Sequence, residues 1–308
     1  MDKLYDLIIV GAGPAGITAS VYAARKRMDF LVLTGDVGGQ AGWTADIENY
    51  TGFQFISGPD LVSKFEEHIK QYDVPVKRGE RVLNIVKQKN LIVVGTEKGA
   101  YKARTVVVAS GKRAKELEVP GEKEFKNKGV TYCATCDGPL FAGKDVVVVG
   151  GGNSALEAAL QMVKIANKVY MVNITPDLGG DTIIREKVVA ADNVTVMNDS
   201  EIAAVLGDAF VTGVRVKKGE KEEEVPVQGV FVEIGLEPNS DFAGEVEKNE
   251  HGELKVNCLN ETSIPGIFAA GDVTDVPEKQ IIIAAGDGAK AALGAFKYIS
   301  RMSTKDWG

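Results

Sequence analysis

The run from Tyr5 to Val10 (YDLIIV) is short and almost unbroken in apolar character, the pattern of a strand buried on both faces. It is followed by Gly11-Ala12-Gly13-Pro14-Ala15-Gly16, a stretch of helical periodicity through about Arg27, and a second apolar run at 30–33 (FLVL). Together these predict a βαβ unit of about thirty residues with G-x-G-x-x-G at its first turn. The pattern recurs. Residues 145–149 (DVVVV) lead into Gly150-Gly151-Gly152-Asn153-Ser154-Ala155, a helix to about Ala166 and a strand at 168–173. Two Gly-rich βαβ starts imply two nucleotide-binding halves.

Further strands are expected at 91–95, 104–109, 194–197, 210–216 and 229–234, and a last helix near 281–299. Short apolar strands end in small residues at Val106 to Gly111, Val230 to Gly235 and Gly266 to Asp272. The charged, Pro- and Gly-punctuated segment after Gly111 reads as an interdomain crossing, with the return near Glu237-Pro238-Asn239. The fold expected is α/β: two Rossmann-like three-layer nucleotide-binding domains, the second inserted into the first. Residues 1–114 and 243–308 form one domain, and 115–242 the other. Lys217 to Glu224 is expected to be a solvated hairpin turn.

A dinucleotide pyrophosphate carries two negative charges, and a helix N-terminus offers free N–H groups and a positive dipole end. Gly11 permits the sharp turn, Gly13 lets the backbone touch phosphate, and Gly16 lets helix and strand pack closely. At the end of the second strand, Asp36 is either a ribose ligand or a plain loop carboxylate.

The chain has 308 residues and a net charge of −7, with 44% hydrophobic and 26% charged residues, which exclude a disordered or fibrous protein. No long Lys/Arg block is present, and the acidic balance argues against a nucleic-acid partner. The N-terminal apolar run is too short for a signal peptide or a membrane span, so a soluble, cytoplasmic protein without a membrane partner is expected. Glycine stands out at 35 residues, many in clusters after apolar runs. The three cysteines, Cys133, Cys136 and Cys258, do not suit a secreted disulfide framework, and with only two His a four-ligand zinc site is not expected. Cys133-Ala134-Thr135-Cys136 brings two sulfurs to one face of a turn, for redox chemistry or for a structural disulfide. Cys258, between apolar positions, is expected as a buried strand thiol. His68 reads as a helix-face residue and His251 as a turn residue. Trp43 is a cofactor neighbour or a core aromatic.

GAGPAG, Gly38-Gly39-Gln40, Ile47-Glu48-Asn49-Tyr50, Cys133-Ala134-Thr135-Cys136-Asp137-Gly138, GGGNSA and Ala270-Gly271-Asp272 with Gln280-Ile281 resemble the low-molecular-weight thioredoxin reductases, in order and over nearly the whole chain. The tail from Val276 to Lys290 is most similar to the reductase flavoprotein of alkyl hydroperoxide reductase, without that branch's N-terminal thioredoxin-like domains. The resemblance implies FAD held by Gly11, Gly13, Pro14, Ala15, Gly16, Gly39, Gln40, Asn49, Gly111, Gly271, Asp272, Gln280 and Ile281, with Asp272 on the ribitol chain and Gln280 and Ile281 near the isoalloxazine. Taken alone, Gly271-Asp272 reads as a strand-to-helix turn with Asp272 as its N-cap. The inserted domain would use Gly150, Gly152, Asn153, Ser154, Ala155 and Asn173 for a pyridine nucleotide. By the same resemblance Cys136 lies next to the flavin, Cys133 attacks the partner disulfide, and Asp137 is the general acid, its alternative role being to cap the next turn. A homodimer is implied too. The dithiol must visit both flavin and partner, so rotation of the inserted domain about its crossings is expected.

NADPH-using members of the family carry a His-Arg-Arg cluster after the third strand of the inserted domain, because a 2′-phosphate needs cations. This chain reads Asn173-Ile174-Thr175-Pro176-Asp177-Leu178-Gly179-Gly180-Asp181 there, with Arg185 the nearby cation. NADH is therefore ranked above NADPH, with a non-nucleotide donor such as ferredoxin as a third option. The function expected is an FAD-dependent disulfide reductase acting on a thioredoxin-, glutaredoxin- or peroxiredoxin-linked protein disulfide. The alternatives are an FAD-dependent dithiol oxidase using oxygen and a ferredoxin-linked thioredoxin reductase.

Overall fold

The structure, a computed structural model, describes residues 3–43, 47 and 49–302; of Trp43, Thr135 and Cys136 it describes the backbone only. The chain opens with β1 (Leu4–Ala12), α1 (Pro14–Arg25) and β2 (Phe30–Val37). Helix α2 (Gly58–Gln71) starts at Ser57, whose hydroxyl accepts the Asp60 N–H, and leads to β3 (Val76–Arg78). An antiparallel meander follows, β4 (Val82–Gln88), β5 (Leu91–Thr96) and β6 (Gly99–Val108), and then the short β7 (Lys112–Ala114).

Next come β8 (Val130–Thr131), the single turn α3 (Ala134–Asp137), β9 (Asp145–Val149), α4 (Asn153–Val163) and β10 (Lys168–Val172). They are followed by α5 (Thr182–Val189), β11 (Val194–Met197), β12 (Glu201–Gly207), β13 (Val211–Lys218), β14 (Lys221–Val225) and β15 (Gly229–Val232). The chain returns through β16 (Leu236–Pro238) and ends with β17 (Ile267–Ala269) and α6 (Ile281–Arg301).

Two compact units result, residues 1–113 with 237–308, and residues 114–236. The return crossing lies at 236/237, against the Glu237-Pro238-Asn239 segment and the 242/243 domain bound read from sequence. Asn239 exchanges hydrogen bonds with Ser110 and Gly111, and Asp241 pairs with Arg113, so this segment belongs to the first unit.

In the first unit the sheet order is β3-β2-β1-β6-β5-β4, with β17 pairing the far half of β6. Strands β1, β2, β6 and β17 run parallel and are covered on both faces, which is why they read as continuous apolar runs. Leu7 and Ile9 face a core shared with α1 and α6; Ile8 and Val10 face the opposite one. Small residues let α1 and α6 approach closely, as a Cβ on Gly288 would lie 2.0 Å from the Ala15 carbonyl oxygen.

The second unit holds an all-parallel sheet in the order β11-β10-β9-β15-β8. Val146, Val148 and Phe231 pack under α4, while Val147, Val149, Val230 and Val232 face a core shared with the β12-β13-β14 meander. Helix, sheet and meander give three layers, the α/β architecture expected. Lys217 to Glu224 covers the β13-β14 hairpin. Among the described residues no helix is long and apolar enough to cross a membrane.

Cys258 is a correction. It is a free, exposed thiol in a turn, not a buried strand residue. The Asn257 side chain accepts the N–H groups of Leu259 and Glu261, and Asn260 takes a positive φ, so the backbone reverses where alternation suggested a strand.

Candidate active site

In the first unit β1 is flanked by β2 on one side and β6 on the other, and this change of winding direction opens a crevice at the strands' carboxyl ends. Gly11 lies there at φ 103, and a Cβ on it would be 2.2 Å from the Ala109 carbonyl oxygen at the end of β6. Gly13 is the N-cap of α1, with no side-chain cap, and Pro14 opens the helix. The helix's first N–H groups are thus left for a ligand. A Cβ on Gly16 would lie 1.9 Å from Gly11 O, whereas on Gly13 it would meet nothing closer than Gly38 O at 3.9 Å. Gly16 therefore serves packing, and Gly13 faces open space.

The rest of the first set gathers around this turn. Gly38 N–H donates to Ala12 O, and a Cβ on Gly39 would be 3.4 Å from Gly13 Cα. Gln40 Nε2 donates to Lys112 O at 3.1 Å, and Gly111, at φ 63, has open space at its Cβ position. Gly271, at φ 73, sits against Ala15 and Ala284. Gln280 caps α6 and accepts from Asn49 Nδ2; Ile281 packs on the small cluster of Ile47, Ile56 and Leu61. Asp36 is exposed at the end of β2. Glu48 lies outside the described residues, as does the Trp43 side chain.

Burial raises the pKa of the Asp272 carboxyl, against the lowering fields of Lys279 and Lys112 and with reinforcement from Asp287 and Glu253. Those two lysines are bridged by Glu253, at 2.9 Å from each ammonium. Glu253 is 8% exposed; its burial penalty is outweighed by hydrogen bonds from Lys112, Lys279 and Asn249, and its pKa falls to about 2. This triad was not legible in the sequence, because its members are far apart and, although Lys279 lies in the Val276–Lys290 tail, no motif holds more than one of them.

The second Gly-rich turn has the same construction. Gly150 takes φ 135 beside the Glu233 carbonyl, Gly152 caps α4 without a side-chain cap, Ser154 is exposed in the first turn, and Ala155 is fully buried. The following loop folds back on it: Gly179 N–H donates to Gly151 O, and Asp181 N–H to Asn153 Oδ1. Asn173 is 3% exposed and wholly engaged. Its Nδ2 donates to Thr175 O, Asp177 O and Asn198 Oδ1, and its Oδ1 accepts from the Thr175 hydroxyl. Asp181 caps α5, and Arg185 donates to Leu178 O.

The C-x-x-C follows β8, at the carboxyl edge of the same sheet. Cys133 is disulfide-bonded; the side chain of Cys136 lies outside the described residues. Thr131 organises this turn. Its hydroxyl accepts the Cys133 N–H at 3.2 Å and donates to Asp137 Oδ2. The carbonyl of Ala134, the next residue, accepts from Gln161 Nε2 at 3.2 Å, and burial raises the pKa of the Glu233 carboxyl to about 7 against the lowering effect of the Ala134 backbone. Thr131, Gln161 and Glu233 escaped sequence reasoning. An acidic residue directly after an apolar strand, as in FVEIG, was the available signal for the last. His68 and His251 are exposed and stand apart from these clusters, on α2 and in a turn. Among the described residues no group of three or more His, Cys, Asp or Glu is placed to hold a metal ion.

The family model for pyridine nucleotide-disulphide oxidoreductases matches residues 5–288. A protein named NADH dehydrogenase from Bacillus subtilis is 45% identical over 301 residues, covering 96% of this chain and 59% of its own length. An alkyl hydroperoxide reductase component from Pseudomonas putida is 45% identical over 309 residues, covering 98% of this chain and 59% of that protein. The chain thus spans about three fifths of the curated relatives it matches. The crystal structure of Lactococcus lactis thioredoxin reductase superposes with a TM-score of 0.84 at 34% identity, covering 97% of this chain and all of that one.

Proposed function

Because the chain belongs to the pyridine nucleotide-disulphide oxidoreductase family, whose flavoprotein oxidoreductases use FAD, we propose that it is a disulfide reductase passing electrons from NADH to a thioredoxin- or peroxiredoxin-type protein disulfide. The observation that carries this reading is the Cys133 disulfide, set beside the second Gly-rich turn at the carboxyl edge of one parallel sheet. The residues of the first unit fit FAD: an uncapped helix N-terminus, the open space at Gly13 and Gly111, and a half-buried Asp272 carboxyl. Bound there, the flavin supplies two-electron exchange between a hydride donor and a disulfide.

The chain's own residues then have distinct tasks. Gly11, Gly13 and the start of α1 bind the pyrophosphate; Asp272 and the Asn49–Gln280 pair orient the remainder. In the dithiol form, the Cys133 thiolate attacks one sulfur of the acceptor and expels the other as a thiolate. The Cys136 thiolate then attacks the Cys133 sulfur of the mixed disulfide, restoring the internal disulfide and releasing the second acceptor thiolate. The acceptor gains two electrons and the pair loses two. Asp137 supplies a proton to a departing thiolate. NADH is favoured over NADPH because the 173–181 loop carries Asp177 and Asp181 and no Lys or Arg, an unfavourable field for a 2′-phosphate.

The test is anaerobic reduction of the FAD-loaded protein by NADH and NADPH in parallel, followed by turnover with a thioredoxin-type disulfide. NADH is expected to bleach the flavin at the lower concentration, and Cys133→Ser and Cys136→Ser together to abolish acceptor reduction while bleaching persists. Full acceptor turnover in the double variant overturns the reading.

A further inference from the structure

One carboxylate of the first unit gathers side chains from three separate segments. Glu253 Oε1 accepts from two ammoniums, Lys112 Nζ and Lys279 Nζ, each at 2.9 Å, and Oε2 accepts from Asn249 Nδ2 at 2.7 Å. The side chains of Glu253, Lys112 and Lys279 are 11%, 13% and 25% exposed, so these ion pairs are shielded from water as a surface pair is not. The carboxylate is also held from behind, because Asn249 Oδ1 accepts the Glu253 N–H at 3.0 Å.

Both lysines are attached to residues of the candidate cofactor site. Lys112 follows Gly111, and its carbonyl accepts from Gln40 Nε2. Lys279 precedes Gln280, the partner of Asn49, and its ammonium also donates to Thr274 O. Thr274 closes the turn that carries Asp272, its N–H and its hydroxyl both donating to Gly271 O, at 3.0 and 2.7 Å. The residue after Glu253 pairs with that same turn, Leu254 N–H donating to Val273 O at 2.9 Å. A single oxygen atom thus ties together Gly111, the Asp272 turn and Gln280. Burial raises the pKa of Asp272, and the fields of Lys279 and Lys112 oppose it, as their nearness to the turn requires.

We propose that Glu253 is a positioning residue for the FAD site: through Lys112 and Lys279 it holds in place the segments that receive the ribitol and isoalloxazine end of the cofactor, without touching the cofactor itself. Such a carboxylate acts by removing freedom, so that the segments stand ready and the ligand does not have to order them. Without it, two shielded ammoniums face each other with no shared anion, and their repulsion parts the segments that carry them. The pyrophosphate end is built differently, on the packing of Gly11 against Ala109 O and of Gly16 against Gly11 O. Loss of the cluster should therefore strike one end of the cofactor and spare the other.

The inference rests on reading the first unit as an FAD site, and its test separates the two. The full-length apoprotein is titrated calorimetrically with FAD and with ADP, which carries adenosine and pyrophosphate without ribitol or flavin, at a temperature where thermal melts show every protein folded. Glu253→Gln should weaken FAD at least about tenfold, within the range of coupling between sites, and leave ADP affinity within about twofold. Lys279→Met removes one arm of the cluster and should weaken FAD at least about fivefold, again sparing ADP. The double variant should lose no more than Glu253→Gln alone, because both changes act through one oxygen. Unchanged FAD affinity in Glu253→Gln, or equal losses of FAD and ADP as a merely structural role would give, overturns the proposal. Should Glu253→Gln fail to fold, either of those results in Lys279→Met overturns it. A wild type that takes up no FAD defeats the FAD reading and this inference together, whereas FAD binding that ignores the cluster defeats the inference alone.

Discussion

Asn49 Nδ2 donates to Gln280 Oε1 at 3.1 Å, joining the loop before α2 to the residue that caps α6. Both side chains are expected at the flavin on the strength of separate motifs, and the hydrogen bond brings them to one place. Because the pair is exposed, it adds little to the fold. Asn49→Ala is expected to leave the melting temperature of the apoprotein unchanged and to weaken FAD binding about threefold to tenfold, the worth of one hydrogen bond. Fluorescence titration of the apoprotein with FAD measures it; an unchanged affinity removes this pair from the cofactor site.

The glycines of the first turn should separate sharply on substitution. Gly16→Ala puts a methyl group 1.9 Å from Gly11 O, a backbone atom that cannot step aside, and should cost about 3 kcal/mol or prevent folding. Gly13→Ala meets nothing closer than 3.9 Å and should fold normally. Its methyl group would enter the space left for pyrophosphate, so FAD affinity should fall at least about tenfold, about 1.4 kcal/mol. Thermal melts of the two apoproteins beside their FAD titrations distinguish a packing glycine from a binding one.

These contrasts mark how far the sequence could be read. Both βαβ starts were legible because G-x-G-x-x-G spacing, flanking apolar runs and helical periodicity all constrain the same thirty or so residues. The place of Asn173 at the end of a strand suggests a ribose ligand; that its amide is spent on Thr175, Asp177 and Asn198 depends on how the loop folds back. The alternation around Cys258 suggests a strand, but Asn257 accepts the N–H groups of Leu259 and Glu261 and turns the backbone instead. Glu233 and the Lys112–Glu253–Lys279 cluster were invisible for a simpler reason. Their partners are distant in sequence and meet only in the tertiary fold, which no local pattern encodes.

Glu253 gives the first unit an acid-sensitive element. Its pKa is lowered from 4.5 to about 2 in the fold, so the unfolded chain binds a proton more readily than the native one. The stabilisation is fully present above about pH 4.5 and is lost as the pH falls toward about 2. Glu253→Gln leaves Lys112 and Lys279 without their shared carboxylate and should cost about 3 kcal/mol at neutral pH. The difference in unfolding free energy between variant and wild type should shrink as the pH falls through this window. Denaturant melts at about pH 7, pH 4 and pH 3 give the comparison; a pH-independent difference shows that the triad carries no net ionic stabilisation.

The Thr131 hydroxyl is shared by the two groups that bracket the dithiol turn, accepting from Cys133 N–H and donating its one proton to Asp137. A hydroxyl can do both at once; a methyl group can do neither. Thr131→Val should therefore leave the Cys133 amide without this acceptor and release the Asp137 carboxylate from a fixed orientation, while preserving shape in a buried position. If Asp137 protonates a departing thiolate, its value depends on being aimed, and acceptor turnover should fall about tenfold in Thr131→Val and about 100-fold in Asp137→Asn. Combining the two substitutions should cost no more than Asp137→Asn alone, because the threonine acts on the leaving-group step through the aspartate. Rapid-mixing kinetics of the pre-reduced protein with a thioredoxin-type disulfide isolates this half of the reaction from flavin reduction. Losses that multiply in the double variant would show instead that Thr131 works on Cys133 independently, by holding its amide, and that Asp137 does not need it.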